Sequence, residues 1–266
     1  MEGVFTTQKK DGTLSYRAGI TFRGKHISLG SFPTERKAHR AYLDAQKILR
    51  TPSIDIQTLF QKKGTLSFEK AITLLNFRDK HIYIKNPIYL FQNYFIYYLN
   101  ENEELKFDID DLFYYSNHKI LRRGGHYYVN DYGMQLNLIN RYGIKNYGVA
   151  GKDYRFINDD PTDFRYNNLE IINPYYGVLI ISDSKGTRYR ARLHVKSNYT
   201  IGTYATIEEA AIAYNKAVDL VRSRGLQKNY PENFIESLSP RAYADLYSEI
   251  VLQPGFIKNL DKICKG

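Results

Sequence analysis

The chain has 266 residues, 43% of them hydrophobic, and a formal net charge of +10 at pH 7, which is enough for two or three small domains with packed cores. No apolar run reaches the length of a bilayer span, the opening MEGVFTTQKKDG has no signal-peptide core, and the single cysteine, Cys264, excludes an internal disulfide and a cysteine-based zinc site. The expectation is a cytoplasmic protein with no membrane partner. The charge is uneven: residues 1–50 carry ten Lys+Arg against four Asp+Glu, residues 174–230 nine against four, residues 51–173 fifteen of each, and the tail from 231 four against five. Such asymmetry predicts two basic binding modules on a neutral frame.

Taken in chain order, the first fifty residues read as three strands, about 3–8, 14–23 and 25–32, followed by a helix over 35–50. Thr34 is placed to cap that helix, and Ala38, Ala41, Tyr42, Ala45, Ile48 and Leu49 form its apolar stripe. Alternation along the second strand turns Arg17, Gly19, Thr21 and Arg23 outward, with Lys25 next.

The middle of the chain, 51–173, has a core of its own. IYLFQNYFIYYL (88–99) is too short and too polar for a membrane and reads as interior. FDIDDLFYYS (107–116) and RRGGHYYVND (122–131) read as strands with a Gly-Gly turn, and His126 as a half-buried strand residue. Asp153, Asp159, Asp160 and Asp163 read as turn-forming acids. Arg122, Arg123, Arg141, Lys145, Arg155 and Arg165 are candidates for phosphate contact.

In RYRARLHVK (188–196) the apolar residues Tyr189, Ala191, Leu193 and Val195 alternate with Arg188, Arg190, Arg192, His194 and Lys196. That is a strand with one buried face and one wholly basic face. Thr206 and Glu209 have capping-box spacing, before a stripe of Ala210, Ala213, Tyr214, Ala217 and Val221. The segment repeats the first fifty residues: YRAGITF (16–22) matches YRARLHV (189–195), and LGSFPTERKAHRAY (29–42) matches IGTYATIEEAAIAY (201–214). Gly19 thus corresponds to Arg192 and Thr21 to His194. In the tail, Ser239-Pro240 starts a helix carrying Ala242, Leu246, Ile250 and Val251, and Pro254-Gly255 separates it from a last short helix. The tail either packs on the second copy or forms a homodimer.

The opening Gly-Val, the Tyr-Arg-Ala of the second strand, the Leu/Ile-Gly-Ser/Thr-Phe/Tyr closing the third, the Thr before the helix and the Ala-x-x-Ala-Tyr within it resemble the APETALA, or ethylene-responsive-factor, type of DNA-binding domain. Asn229-Tyr230-Pro231 is similar to the Asn-Phe-Pro that ends such domains. The resemblance covers about two-fifths of the chain and implies a three-stranded sheet read into the DNA major groove. DYRFINDDPTDFRYNNLEII (153–172) resembles the HNH endonuclease motif, with Ile157, Asn158, Asp160, Asp163, Arg165, Asn168 and Leu169 in register. The Asp-His pair that the motif uses for metal and base falls on Arg155 and Phe156, which implies a nuclease outline without its chemistry.

The expected architecture is therefore α+β. It comprises module one (1–50), a degenerate HNH-like central domain used as spacer (51–173), module two (174–231) and a helical C-terminal tail (232–266). The expected function is sequence-specific binding of double-stranded DNA, with transcriptional regulation in a bacterium, phage or mobile element as the first employment. No catalytic residue, cofactor or metal is assigned. The DNA-contacting set is Arg17, Thr21, Arg23, Lys25, Arg188, Arg190, Arg192, His194 and Lys196, with Arg122, Arg123, Arg155 and Arg165 in support. An active metal-dependent homing endonuclease and a DNA-bridging architectural protein are the alternatives.

Overall fold

The computed structural model describes every residue except Lys9, Lys62, Lys63, Lys185, Gln227 and Gly266, and the side chain of Lys265. The protein is α+β, built from small three-stranded antiparallel sheets and short helices. Its contacts divide it into two compact units, Met1–Leu138 with Phe156–Leu169, and Ile139–Arg155 with Glu170–Gly266. The segment 51–173 is shared between them.

In the first unit, strands β1 (Val4–Gln8), β2 (Leu14–Phe22) and β3 (Lys25–Phe32) form a sheet in that order, and helix α1 (Glu35–Arg50) lies on one face. Thr34 caps α1 by accepting from the Lys37 amide at 3.3 Å. Ala38, Ala41 and Ala45 are buried; side chains this small let the helix lie close to the sheet. The approach is closest at Gly3. A Cβ there would stand 2.1 Å from the Tyr42 ring, and the backbone is at φ +69°, so only glycine fits.

Two helices follow, α2 (Ile56–Gln61) and α3 (Phe68–Lys80). Arg78 of α3 donates to the carbonyls of Ile48, Thr51 and Ile54 at 2.7–2.9 Å, satisfying acceptors at and beyond the end of α1. Strands β4 (Ile88–Leu90), β5 (Tyr94–Asn100) and β6 (Glu103–Asp108) make the second sheet, with Gln92 and Asn93 in the turn of the first hairpin. The stretch 107–116, expected as a strand, leaves the sheet after Asp108 and becomes a 3-10 turn and helix α4 (Leu112–Asn117). An alternating strand would bury Phe113 together with Tyr115. Instead Phe113 is 83% exposed, while Tyr115 is buried with its ring 4.2 Å from that of Phe107. Asp111 and Tyr115, four apart, are the buried pair, which is helical spacing. Strands β7 (Ile120–Arg123), β8 (His126–Asp131) and β9 (Met134–Asn137) form a third sheet, with Gly124 and Gly125 at positive φ in the expected turn. His126 opens β8 opposite Arg123 and is exposed rather than half-buried, because it stands at the hairpin tip.

Strands β10 (Tyr154–Phe156) and β11 (Leu169–Ile171) pair where the chain passes from one unit to the other. In the second unit β12 (Val178–Asp183), β13 (Gly186–His194) and β14 (Asn198–Tyr204) form a sheet covered by α5 (Ile207–Ser223), whose Thr206–Glu209 capping box is formed. The construction repeats that of the first unit. Gly177 is at φ +69° with the Tyr214 ring 2.1 Å from where a Cβ would be, and the register shifts at Ala191/Arg192 as it does at Ala18/Gly19. The tail, α6 (Pro240–Glu249) and α7 (Pro254–Lys265), packs on this module: Ile250, Leu252, Phe256 and Leu260 share one core with Ala210, Ala213, Ala217 and Val221. Ile250 and Val251, expected on the helix, lie beyond it: α6 ends at Glu249, and the extended backbone after it buries Ile250 and Leu252 and leaves Val251 78% exposed. Lys216 ties the tail down by donating to the carbonyls of Tyr247 and Ile250 at 2.6 and 2.7 Å. Among the described residues no helix is long and apolar enough to cross a membrane.

Candidate nucleic-acid interface

The helix α5 takes up one face of the β12–β14 sheet and leaves the other open. Along β13 and just past it, Ala191 and Leu193 are buried and Tyr189 and Val195 half-buried, whereas Arg188, Arg190, His194 and Lys196 are exposed and Arg192 partly so. Among the described residues none of Arg188, Arg190, Arg192 or Lys196 makes an ion pair. Same-face neighbours lie roughly 6.6–6.8 Å apart on a strand. Charges at that spacing, as for Arg188 with Arg190 and Arg190 with Arg192, repel by about 0.6 kcal/mol even in water.

The hairpin end is held from behind, where Tyr230 and Lys228 both donate to the His194 carbonyl, at 3.0 and 3.1 Å. Lys228 lies far from the strand in sequence, so alternation within the strand gives no sign of it. The His194 ring meets Asn198 at 3.2 Å. Flanking the arginine row, Leu179 and Ile181 of β12 stand opposite Arg190 and Arg188, and Thr203 and Thr200 of β14 stand opposite Arg190 and Arg192.

The matching face in the first unit is less charged. Arg17 is exposed and, among the described residues, makes no ion pair. Gly19 is covered by His26, whose ring would be 2.8 Å from a Cβ there. Thr21 Oγ1 lies 3.4 Å from His26 Nδ1, and Phe5 meets the same ring edge-on at 6.3 Å. Arg23, at φ +48° in the β2–β3 turn, contacts the His81 ring, and Lys25 sits over the Tyr83 ring at 4.7 Å. The turn thus brings these two cations to the loop after α3.

Of the candidate phosphate contacts in 51–173, Arg122, Lys145, Arg155 and Arg165 are ion-paired. Arg122 bonds Glu103 at 2.7 Å and Arg155 bonds Glu170 at 2.6 Å. Lys145 reaches Asp153 and the Tyr175 carbonyl, each at 2.7 Å, and burial pushes its ammonium below the usual lysine range. Arg123 and Arg141 are exposed. Arg165 holds the fully buried Asp163 through two bonds, at 2.9 and 2.7 Å, and Lys106 and Asn158 also face that carboxylate. Burial alone would raise the Asp163 carboxyl; the Arg165 hydrogen bonds and the charges of Arg165 and Lys106 outweigh it and hold it below the usual carboxylate range.

Asn168 completes the latch by donating to the Asp163 carbonyl at 2.8 Å and accepting from the Asn158 amide at 2.9 Å. Asp160 forms a turn with Thr162 at 2.7–2.9 Å, and Phe156 packs edge-on against Phe164 at 5.7 Å. Among the described residues there is no group of three or more His, Cys, Asp and Glu that could hold a metal ion. No family model, curated protein or solved structure matches the chain.

Proposed function

We propose that the protein binds double-stranded DNA sequence-specifically through the open faces of its two small sheets, as a regulator rather than a nuclease. The observation that carries this reading is the row Arg188, Arg190, Arg192 and Lys196. The three arginines share one sheet face, Lys196 follows just past the strand, and among the described residues none of the four has an acidic partner, whereas Arg122, Lys145, Arg155 and Arg165 are each ion-paired. A surface that accepts this repulsion is suited to a polyanion.

The dimensions agree. Three strands about 4.8 Å apart present a ribbon that fits a major groove about 12 Å wide. Arginine can bond guanine O6 and N7 there, while any of the cations can neutralise phosphate. Resemblance to ethylene-responsive-factor domains points the same way. Duplex RNA is disfavoured because its deep, narrow major groove is closed to side chains.

The HNH-like segment is read as a retired nuclease. Where the resembling motif has its aspartate and histidine, Arg155 is bound to Glu170 and Phe156 is packed on Phe164. Asp163 and Asn168 bond within the segment.

Selection from a random duplex library with the full chain is the deciding experiment. It is expected to return a defined sequence whose affinity falls about 10³–10⁵-fold between 50 and 200 mM salt, as for roughly 6–10 phosphates neutralised, with no cleavage in Mg²⁺ or Mn²⁺. An unenriched library, or affinity indifferent to salt, removes the reading; metal-dependent nicking lost in Asn168→Ala replaces it with the nuclease.

A further inference from the structure

Each open face carries, at the same register position, a large exposed apolar side chain that the module's core does not use. Phe5 is 56% exposed and Leu179 41% exposed, and neither belongs to its module's core cluster. They occupy the same place in the two modules. Phe5 stands opposite Arg17 across β1–β2, and Leu179 stands opposite Arg190 across β12–β13, while the preceding Val4 and Val178 pair with the buried Ala18 and Ala191. Residues opposite each other in an antiparallel pair point to the same side, with Cβ atoms about 4.5–5.5 Å apart. Each arginine therefore has an apolar neighbour beside it on the open face. In module one the Phe5 ring is also steadied edge-on by His26.

A single exposed apolar residue needs no explanation. Two at the same register position, each paired with an arginine and each outside the core, do. The major-groove edge of DNA offers one apolar group, the C5 methyl of thymine, next to the acceptors that arginine reads on guanine. Bases follow one another at about 3.4 Å along a strand, so a side chain about 5 Å from the arginine falls one or two base steps from its guanine.

Resting on the DNA-binding reading above, we propose that Phe5 and Leu179 each contact a thymine methyl within two base pairs of the guanine read by Arg17 or Arg190. Each pair would then specify a guanine–thymine combination.

The test uses the full chain and the duplex recovered by selection, with each thymine replaced singly by deoxyuridine, which removes the methyl and leaves the base pair intact. Affinity is read by fluorescence anisotropy. One replacement per module is expected to weaken binding about fourfold, the value of one buried methyl-sized group. Leu179→Ala is expected to abolish the penalty at one of the two positions and Phe5→Ala at the other; both side chains lie outside the cores, and circular dichroism checks that the variants keep their fold. A specific duplex whose uridine forms all bind equally well overturns the inference and leaves the DNA reading standing. So does a selected site with no thymine within two base pairs of a guanine, or a penalty that persists in both alanine variants. Failure to recover any specific duplex removes the DNA reading and the inference with it.

Discussion

The two sheet-and-helix modules differ in what they show the solvent and agree in what they hide. Beneath the helix both use a glycine at φ +69° against a tyrosine ring, Gly3 on Tyr42 and Gly177 on Tyr214, a row of buried alanines, and a register shift after Ala18 or Ala191. On the open face module two lines up Arg188, Arg190 and Arg192, whereas module one keeps Arg17, covers Gly19 with His26, and brings Arg23 and Lys25 to His81 and Tyr83. Packing tolerates little change at a given volume, while a solvent-facing position on the same strand is free to vary. The duplication has therefore kept its scaffold and diversified its face.

The shared scaffold is the place for the largest effect. Gly3→Ala and Gly177→Ala should each cost about 2–5 kcal/mol, combining a left-handed backbone at about 1–2 kcal/mol with overpacking at about 1–3 kcal/mol. Urea midpoints of the two variants check this. A loss in one module only would mean that the glycines are not equivalent.

The face is where the modules should separate. Arg192→Ala should cost about 1–3 kcal/mol of DNA affinity and relax preference at one or two base pairs. Arg17→Ala should relax a different part of the site. Repeated selection with each variant gives the answer, and relaxation of the same bases by both would mean that the faces do not read separately.

A smaller difference is expected at high pH. Burial, with help from neighbouring tyrosines, pushes the Tyr214 hydroxyl up to about 12. The hydrogen bond to Glu2 and then burial raise that of Tyr42. The folded state thus favours the neutral phenol in both. The stability that this contributes is full below about pH 10, the unfolded value, and is lost as pH rises towards the folded value. Tyr214→Phe, which breaks no hydrogen bond among the described residues, should flatten the decline of stability between pH 10 and 12, as followed by unfolding midpoints. Tyr42→Phe also loses a 2.6 Å bond to Glu2 and should already be less stable at pH 7.

The smallest effects belong to the paired cations. Arg122→Ala and Arg155→Ala should leave DNA affinity within about 0.5 kcal/mol of the parent, as for most surface substitutions. A loss comparable to that of Arg192→Ala would extend the interface to these residues.

Local pattern and tertiary environment contribute in different ways to these contrasts. The alternation in 188–196, the stripe and cap of α1, the capping box at Thr206 and the duplicated Gly, Ala and Tyr positions were all legible, because each depends on spacing within one strand or helix. The helix at 112–117 was not, because FDIDDLFYYS suits either element and the choice is made by Tyr115 fitting against Phe95 and Phe107. The exposure of His126 was missed because alternation says nothing about whether a second layer covers the strand's end.

The amino-acid sequence by itself thus determined the repeat, the helices that cover it and the concentration of positive charge, which follow from residue type at fixed short spacing. Only the tertiary structure decided which charges are available. Arg122, Arg155, Arg165 and Lys145 find Glu103, Glu170, Asp163 and Asp153, and Arg23 finds His81, whereas Arg17, Arg188, Arg190 and Arg192 find no acid among the described residues. A formal charge is a property of the residue; its pairing depends on what the fold places within about 4 Å.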